Sequence, residues 1–160
     1  MVRAFVALGS NLEDPLRQVL LGFDALAKLP NTKLTSRSRL YRSAPVGITE
    51  QPEFVNAVAE IDTALEPREL LDALLAIERA AGRERDGTRW GPRMLDLDLL
   101  LYGDRQWDEP GLTLPHAHLH ERAFVLLPLK DLAPDLHVPG RGRVSELLEH
   151  VDASGCAVMD

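Results

Sequence analysis

The stretch Leu95-Asp96-Leu97-Asp98-Leu99-Leu100-Leu101-Tyr102 constrains the fold of this chain more than any other. Side chains alternate across a strand, so Asp96 and Asp98 share one face while Leu95, Leu97, Leu99 and Leu101 share the other. After Asp98 both faces turn apolar, so the strand must run into the protein interior. A half-buried strand whose aspartates merely face water would show the same alternation. Aspartate is a poor strand former, however, and its context here is unusual. Directly before the pair, residues 83–93 carry Arg83, Arg85, Arg89 and Arg93 against Glu84 and Asp86, punctuated by Gly87, Gly91 and Pro92. Two oxygen ligands pointing together can hold Mg²⁺, which takes one or two carboxylates with waters and substrate phosphates, and nearby arginines neutralise the same phosphates. The pattern points to nucleotide chemistry.

The elements around this strand follow from hydrophobic period. Residues 2–8 read as a first strand that Gly9-Ser10-Asn11 turns into a helix over about 15–29, with Leu16, Val19, Leu20, Phe23 and Leu26 at helical spacing. Residues 34–41 and 54–62 read as the second and third strands, joined by a loop with two prolines and a glycine. Pro67 opens a second helix, Leu70, Leu71, Leu74 and Leu75 give it an apolar face, and Gly82 stands where a C-terminal cap belongs. With the aspartate strand fourth, the order is βαββαβ, which predicts an α+β, ferredoxin-like two-layer sandwich. From Gly103 onward a C-terminal extension is expected, with a helix near 122–132 interrupted by Pro128 and a terminal helix over 145–151. No repeat or linker divides the chain, so residues 1–160 are expected to form a single domain.

Charge narrows the partners. A net charge of −7 argues against nucleic acid or an anionic membrane, which demand a basic footprint. The single cysteine, Cys156, excludes an internal disulfide and fits a reducing compartment, and no signal or spanning segment is visible. A cytoplasmic protein with small-molecule ligands, and a monomer, is the expectation. The usual phosphate cradles are absent: Gly9-Ser10-Asn11 lacks the lysine of a P-loop, and Gly140-Arg141-Gly142 lies late and reads as a turn. Phosphates would then be held by metal and arginine. On the third strand Phe54 and Asn56 share a face, an aromatic plane beside an amide, which suits a flat heterocycle if the pair is not simply core and strand edge. Glu78 continues the apolar face of the second helix, so it either reaches the rim or meets a ligand. His116, His118 and His120 alternate, yet no fourth zinc ligand is evident, and with Thr113, Arg122 and Phe124 the segment fits phosphate and a stacked ring better.

Arg89-Trp90-Gly91-Pro92-Arg93 followed by Leu95-Asp96-Leu97-Asp98, with Gly9-Ser10-Asn11-Leu12, Gln51-Pro52-x-Phe54-x-Asn56 and Leu114-Pro115-His116, resembles the hydroxymethyl-dihydropterin pyrophosphokinases of folate biosynthesis over nearly the whole chain. The resemblance implies transfer of the terminal diphosphate of ATP to the pterin hydroxymethyl oxygen, with release of AMP, on a ferredoxin-like fold with mobile loops. It implies that Asp96 and Asp98 ligate two Mg²⁺ ions and that Arg83 and Arg93 support transfer. Glu78, Arg85, Arg89, Trp90, Leu99, Thr113, His116 and Arg122 match the nucleotide site. Phe54 and Phe124 match rings that sandwich the pterin, with Ser43, Ala44, Pro45, Val46 and Asn56 around its edge. Gly111 stands where an arginine is expected and Ala117 where a tyrosine is. The loop of residues 83–93, rich in like charges, is expected to order only when substrates are bound. Two competing classes use part of this set: a metal-dependent phosphohydrolase would need no aromatic pair, and a ligand-binding module would need neither the paired aspartates nor the arginines.

Overall fold

The structure is a computed structural model that describes residues 1–12, 14–44, 52–82 and 94–159. Its centre is an antiparallel sheet in which β4 (Phe54–Thr63) pairs along its whole length with β1 (Val2–Ser10), and β1 pairs on its other side with β5 (Asp96–Tyr102). Gly9 and Ser10 therefore belong to the strand rather than to a turn, because they pair with Asn56 and Val55. The expected second strand is two: β2 (Thr32–Arg37) pairs with the C-terminal half of β4, and β3 (Tyr41–Ser43) with its N-terminal residues. Ser38 makes the break, since its Oγ accepts the Val58 N–H at 2.8 Å and its N–H donates to the Val58 carbonyl. A short β10 (Cys156–Val158) adds to β3, giving the order β10-β3-β4-β1-β5. The sequence carries no alternation strong enough to announce a three-residue strand; pairing creates it.

Helices α1 (Pro15–Ala27) and α2 (Pro67–Gly82) cover one face, where Val6, Leu8, Ala57, Ile61, Leu97 and Leu99 meet Val19, Phe23, Leu26, Leu70 and Leu74. Asp14 caps α1 through Arg17 N–H, with Pro15 in the first turn. Gly22 brings α1 close: a Cβ there would lie 2.8 Å from Leu8 Cδ2 and 3.2 Å from Leu95 Cδ2. The opposite face is also covered, by α3 (Ala123–Leu132) and α4 (Val144–Leu148), which bury Phe5, Val58, Leu100 and Leu101. Three layers replace the expected two, because the extension packs on the sheet face that a ferredoxin-like unit would leave open. Within the extension, β6 (Trp107–Glu109) and β7 (Leu112–Leu114) form a hairpin, and β8 (His137–Val138) and β9 (Gly142–Arg143) form a second around Gly140. Helix α3 runs through Pro128 without interruption. A proline forfeits one hydrogen bond, and burial of Val125, Leu126 and Leu129 outweighs it.

One correction comes from β5. Val6 pairs with Leu99 but Phe5 with Leu101, so Leu100 is an unpaired bulge. Leu101 consequently faces Phe5 and α3, on the side away from Leu97 and Leu99.

Candidate active site

Pairing register assembles the site. Asn56 lies opposite Gly9, which lies opposite Asp96; one row along, Val58, Ala7 and Asp98 are matched in the same way. Directly paired residues project to the same side, so Asn56, Asp96 and Asp98 share the face that α3 covers, and Ser43, paired with Phe54, belongs to it too. Gly9 and Ala7 put almost no side chain between them. The space so left is a cavity of about 820 Å³, floored by Ala7, Gly9, Phe54, Asn56, Asp96 and Asp98 and roofed by Arg122 and the first turn of α3, including Phe124. Gly9 keeps that floor clear, since a Cβ would stand 3.1 Å from Asn56 Nδ2 and press on the amide. Asn56 is buried, and its Oδ1 accepts the Ser43 hydroxyl at 2.6 Å, which leaves both amide donors and an oxygen lone pair for a ligand. Phe54, in the floor, and Phe124, in the roof, are both half-buried, and the Arg122 guanidinium lies 5.7 Å from the Phe124 ring centroid.

A second cavity of about 350 Å³ runs along β5, between α2 and the β6–β7 hairpin. Leu71, Leu75 and Glu78 come from α2, Leu97, Asp98 and Leu99 from β5, and Thr113 and His116 from the far side. Asp98 lines both cavities. Glu78 accepts the Leu97 N–H at 2.8 Å, so the carboxylate in the place of a leucine serves the backbone of β5. The bulge places His116: the carbonyl of unpaired Leu100 accepts the His116 N–H at 2.9 Å. His118 N–H donates to His116 Nδ1, so the neutral ring carries its proton on Nε2. Burial holds the His116 pKa below its ordinary value; Asp98 opposes this, while Arg122 and His118 reinforce it. Thr113 Oγ1 donates to Asp108 at 3.4 Å.

The expected residues divide between these spaces. Ser43, Ala44, Phe54, Asn56, Phe124 and also Arg122 line the larger, whereas Glu78, Leu99, Thr113 and His116 line the smaller, as do the two departures, Gly111 and Ala117. Pro45, Val46, Arg83, Arg85, Arg89, Trp90 and Arg93 lie outside the described residues, as does the whole of the 83–93 loop expected to order with substrates. Ala7, Gly9, Glu121, Asp152, Ser154 and Cys156 are additional lining residues. Register brings in Ala7, Gly9 and Cys156, and packing of the extension brings in the rest; a sequence prints neither. Within the histidine tract, His118 Nδ1 and His120 Nε2 are taken up by the two Glu121 oxygens at 3.2 and 3.4 Å, while His116 faces the smaller cavity. Among the described residues no group of three His, Cys, Asp or Glu side chains could hold a metal. Two carboxylates on one face, at the junction of two cavities, do fit Mg²⁺, which draws its other ligands from water and phosphate.

Residues 5–134 match the model of the 7,8-dihydro-6-hydroxymethylpterin-pyrophosphokinase (HPPK) family. A 2-amino-4-hydroxy-6-hydroxymethyldihydropteridine pyrophosphokinase from Pseudomonas aeruginosa is 55% identical over 146 residues, covering 91% of this chain and 90% of its own. Its namesake from Haemophilus influenzae is 46% identical over 149 residues, covering 93% and 92%. The crystal structure of wild-type Plasmodium falciparum HPPK-DHPS superposes with a TM-score of 0.71 at 14% identity, over 92% of this chain and 40% of that one. The chain thus spans well under half of that solved protein, and the likeness to it is one of fold.

Proposed function

From a chain that belongs to the 7,8-dihydro-6-hydroxymethylpterin-pyrophosphokinase family, we infer that the two cavities are the two halves of one transfer site. The protein is an ATP-dependent pyrophosphokinase of folate biosynthesis: it moves diphosphate from ATP to the hydroxymethyl group of 6-hydroxymethyl-7,8-dihydropterin and releases AMP. The observation that carries the assignment of the halves is Asp98, which lines both. In this reading the pterin occupies the larger cavity, stacked between Phe54 and Phe124, with its hydrogen-bonding edge on Asn56 and the 43–46 rim. The nucleotide occupies the smaller one, between Glu78, Leu99, Thr113 and His116, with Arg122 at the junction and Arg85, Arg89 and Trp90 completing the site.

Asp96 and Asp98 would hold two Mg²⁺ ions, which supply charge neutralisation to the triphosphate when bound. The protein contributes alignment. Stacking fixes the pterin plane, Asn56 fixes its rotation, and the row of Gly9 and Asp96 directs the hydroxymethyl arm toward Asp98 and the second cavity. Arg83 and Arg93 are proposed to stabilise the phosphate charge that develops during transfer. The β3-β4-β1-β5 order, with α1 and α2 on one face, supports a ferredoxin-like βαββαβ core in which β2 and β3 together act as the second strand. We propose a single domain and a cytoplasmic monomer; a lone cysteine fits that setting, and among the described residues no helix is long and apolar enough to cross a membrane.

Incubation with ATP, Mg²⁺ and the hydroxymethyl pterin should yield AMP only when the pterin is present. ADP, or hydrolysis without pterin, would contradict the reading. Asp96→Ala and Asp98→Ala should each lower turnover by on the order of a thousandfold while pterin binding persists. Turnover near that of the unsubstituted protein in either variant would show that the aspartates merely face water.

A further inference from the structure

Strand β10 has no part in the assignments above, yet it stands at the edge of the larger cavity. Asp152, Ser154, Gly155 and Cys156 all line that space. Their placement is a built one. Ser154 N–H donates to Asp152 Oδ1 at 2.9 Å and Cys156 N–H to the Ala153 carbonyl at 3.0 Å, closing a tight turn. The turn presents the Gly155 carbonyl to Ala44 N–H at 3.1 Å, and beyond it Cys156, Ala157 and Val158 pair with Ser43, Arg42 and Tyr41. Met159 N–H, donating to the Leu40 carbonyl at 2.8 Å, ties down the far end.

Register says what this does. Cys156 is paired with Ser43 and Ser43 with Phe54, so the three side chains form one row on the face that floors the cavity. Without β10 that floor would end at Ser43. With it the floor extends by one strand spacing, about 4.8 Å. A Cβ at Gly155 would lie 3.9 Å from that of Ala44, an ordinary van der Waals contact, so the turn packs directly against the rim.

We propose that residues 152–158 are a wall of the pterin pocket, with Cys156 beside the bound heterocycle and the Gly155 carbonyl fixing the Ser43–Ala44 rim that the pterin edge meets. The inference rests on the reading of the larger cavity as the pterin site. Cys156 is a positioning and limiting residue here, not a catalytic one: it sets how far a ligand can extend past Ser43.

Because the chain has one cysteine, thiol alkylation reports on this wall alone. On the unsubstituted full chain, saturating hydroxymethyl-dihydropterin should slow alkylation of Cys156 by about tenfold, whereas ATP with Mg²⁺ should leave the rate within about twofold. Cys156→Trp, which fills the row, should weaken pterin binding by about tenfold or more and leave ATP binding unchanged, while Cys156→Ser should bind both as before. Phe124→Ala tests the underlying reading separately. If Phe124→Ala loses pterin affinity but the pterin neither protects Cys156 nor is hindered by the tryptophan, the wall is refuted and the pocket stands. If none of these changes touches pterin affinity, pocket and wall both fall. Should Cys156→Trp not fold, protection of the unsubstituted protein decides alone.

Discussion

Gly9 shows how small a change separates a pocket floor from an obstruction. A Cβ at 3.1 Å from Asn56 Nδ2 would force the amide to shift by a few tenths of an ångström, and it is the amide that orients the heterocycle. Gly9→Ala should therefore raise the KM for pterin severalfold, and Gly9→Val much more, with the KM for ATP nearly unchanged; steady-state kinetics with each substrate varied in turn would check this. His116 supplies a pH signature. Its pKa is depressed first by burial, so above the ordinary value of 6.5 both folded and unfolded chains hold it neutral and it contributes nothing to stability. As pH falls through that value the unfolded chain takes the proton first, and the native state loses stability until the folded midpoint is passed. An NMR titration should place the His116 midpoint below 6.5, and Asp98→Asn, which removes the carboxylate that opposes the shift, should lower it further. At this scale the sequence was partly legible. Alternation alone put both aspartates on one face, but Gly9 reads locally as a turn former, and only its partner Asn56, far away in the chain, makes it a floor.

At the scale of elements, the site depends on how β3 is held. Tyr41 is buried, its hydroxyl lies 2.9 Å from both oxygens of Asp131 on α3, and Arg39 closes the cluster with an Nη2–Oδ1 contact of 2.9 Å. This ties the roof of the larger cavity to the strand that carries Ser43. Tyr41→Phe should cost about 1.5–3 kcal/mol in chemical denaturation, the range for a hydrogen bond to a charged partner, and should also raise the KM for pterin by loosening Ser43 against Asn56. Strands and helices with strong period, β1, α1, α2, β4 and β5, were readable because burial of one face imposes that period. The split of β2 from β3, the bulge in β5 and the addition of β10 were not. Each arises from a partner distant in sequence: Val58 for Ser38, Phe5 for Leu101 and Ser43 for Cys156. Helix α3 marks the opposite case, where a strong local breaker, Pro128, yields to tertiary burial.

For the molecule as a whole, the two cores share one sheet. Phe5 and Val58 point to α3 while their neighbours Ala4, Val6, Ala57 and Ala59 point to α1 and α2, so neither layer can be removed without exposing the back of the other. Leu74 and Leu126 are fully buried, one in each core, and Leu74→Ala and Leu126→Ala should each cost about 2–5 kcal/mol. Both should shift one cooperative unfolding transition, seen identically by circular dichroism and tryptophan fluorescence; two separate transitions would show that the extension folds on its own. The third layer escaped the sequence because α3 and α4 are short, and nothing local says which face of the sheet they seek. The bulge in β5, finally, limits how this chain can change in length. Deleting Leu100 would remove one buried side chain but leave residues 96–99 and 101–102 on their present faces, with both aspartates still aimed at the cavities. His116 would lose the carbonyl that holds its N–H. Deleting Leu97 instead would carry Asp96 round to the apolar face under α1 and α2. Deletions in this strand are thus confined to the Leu99–Leu101 run, where loss of any one leucine gives the same chain, and even there the loss falls on the nucleotide side of the site rather than on the spacing of the two carboxylates.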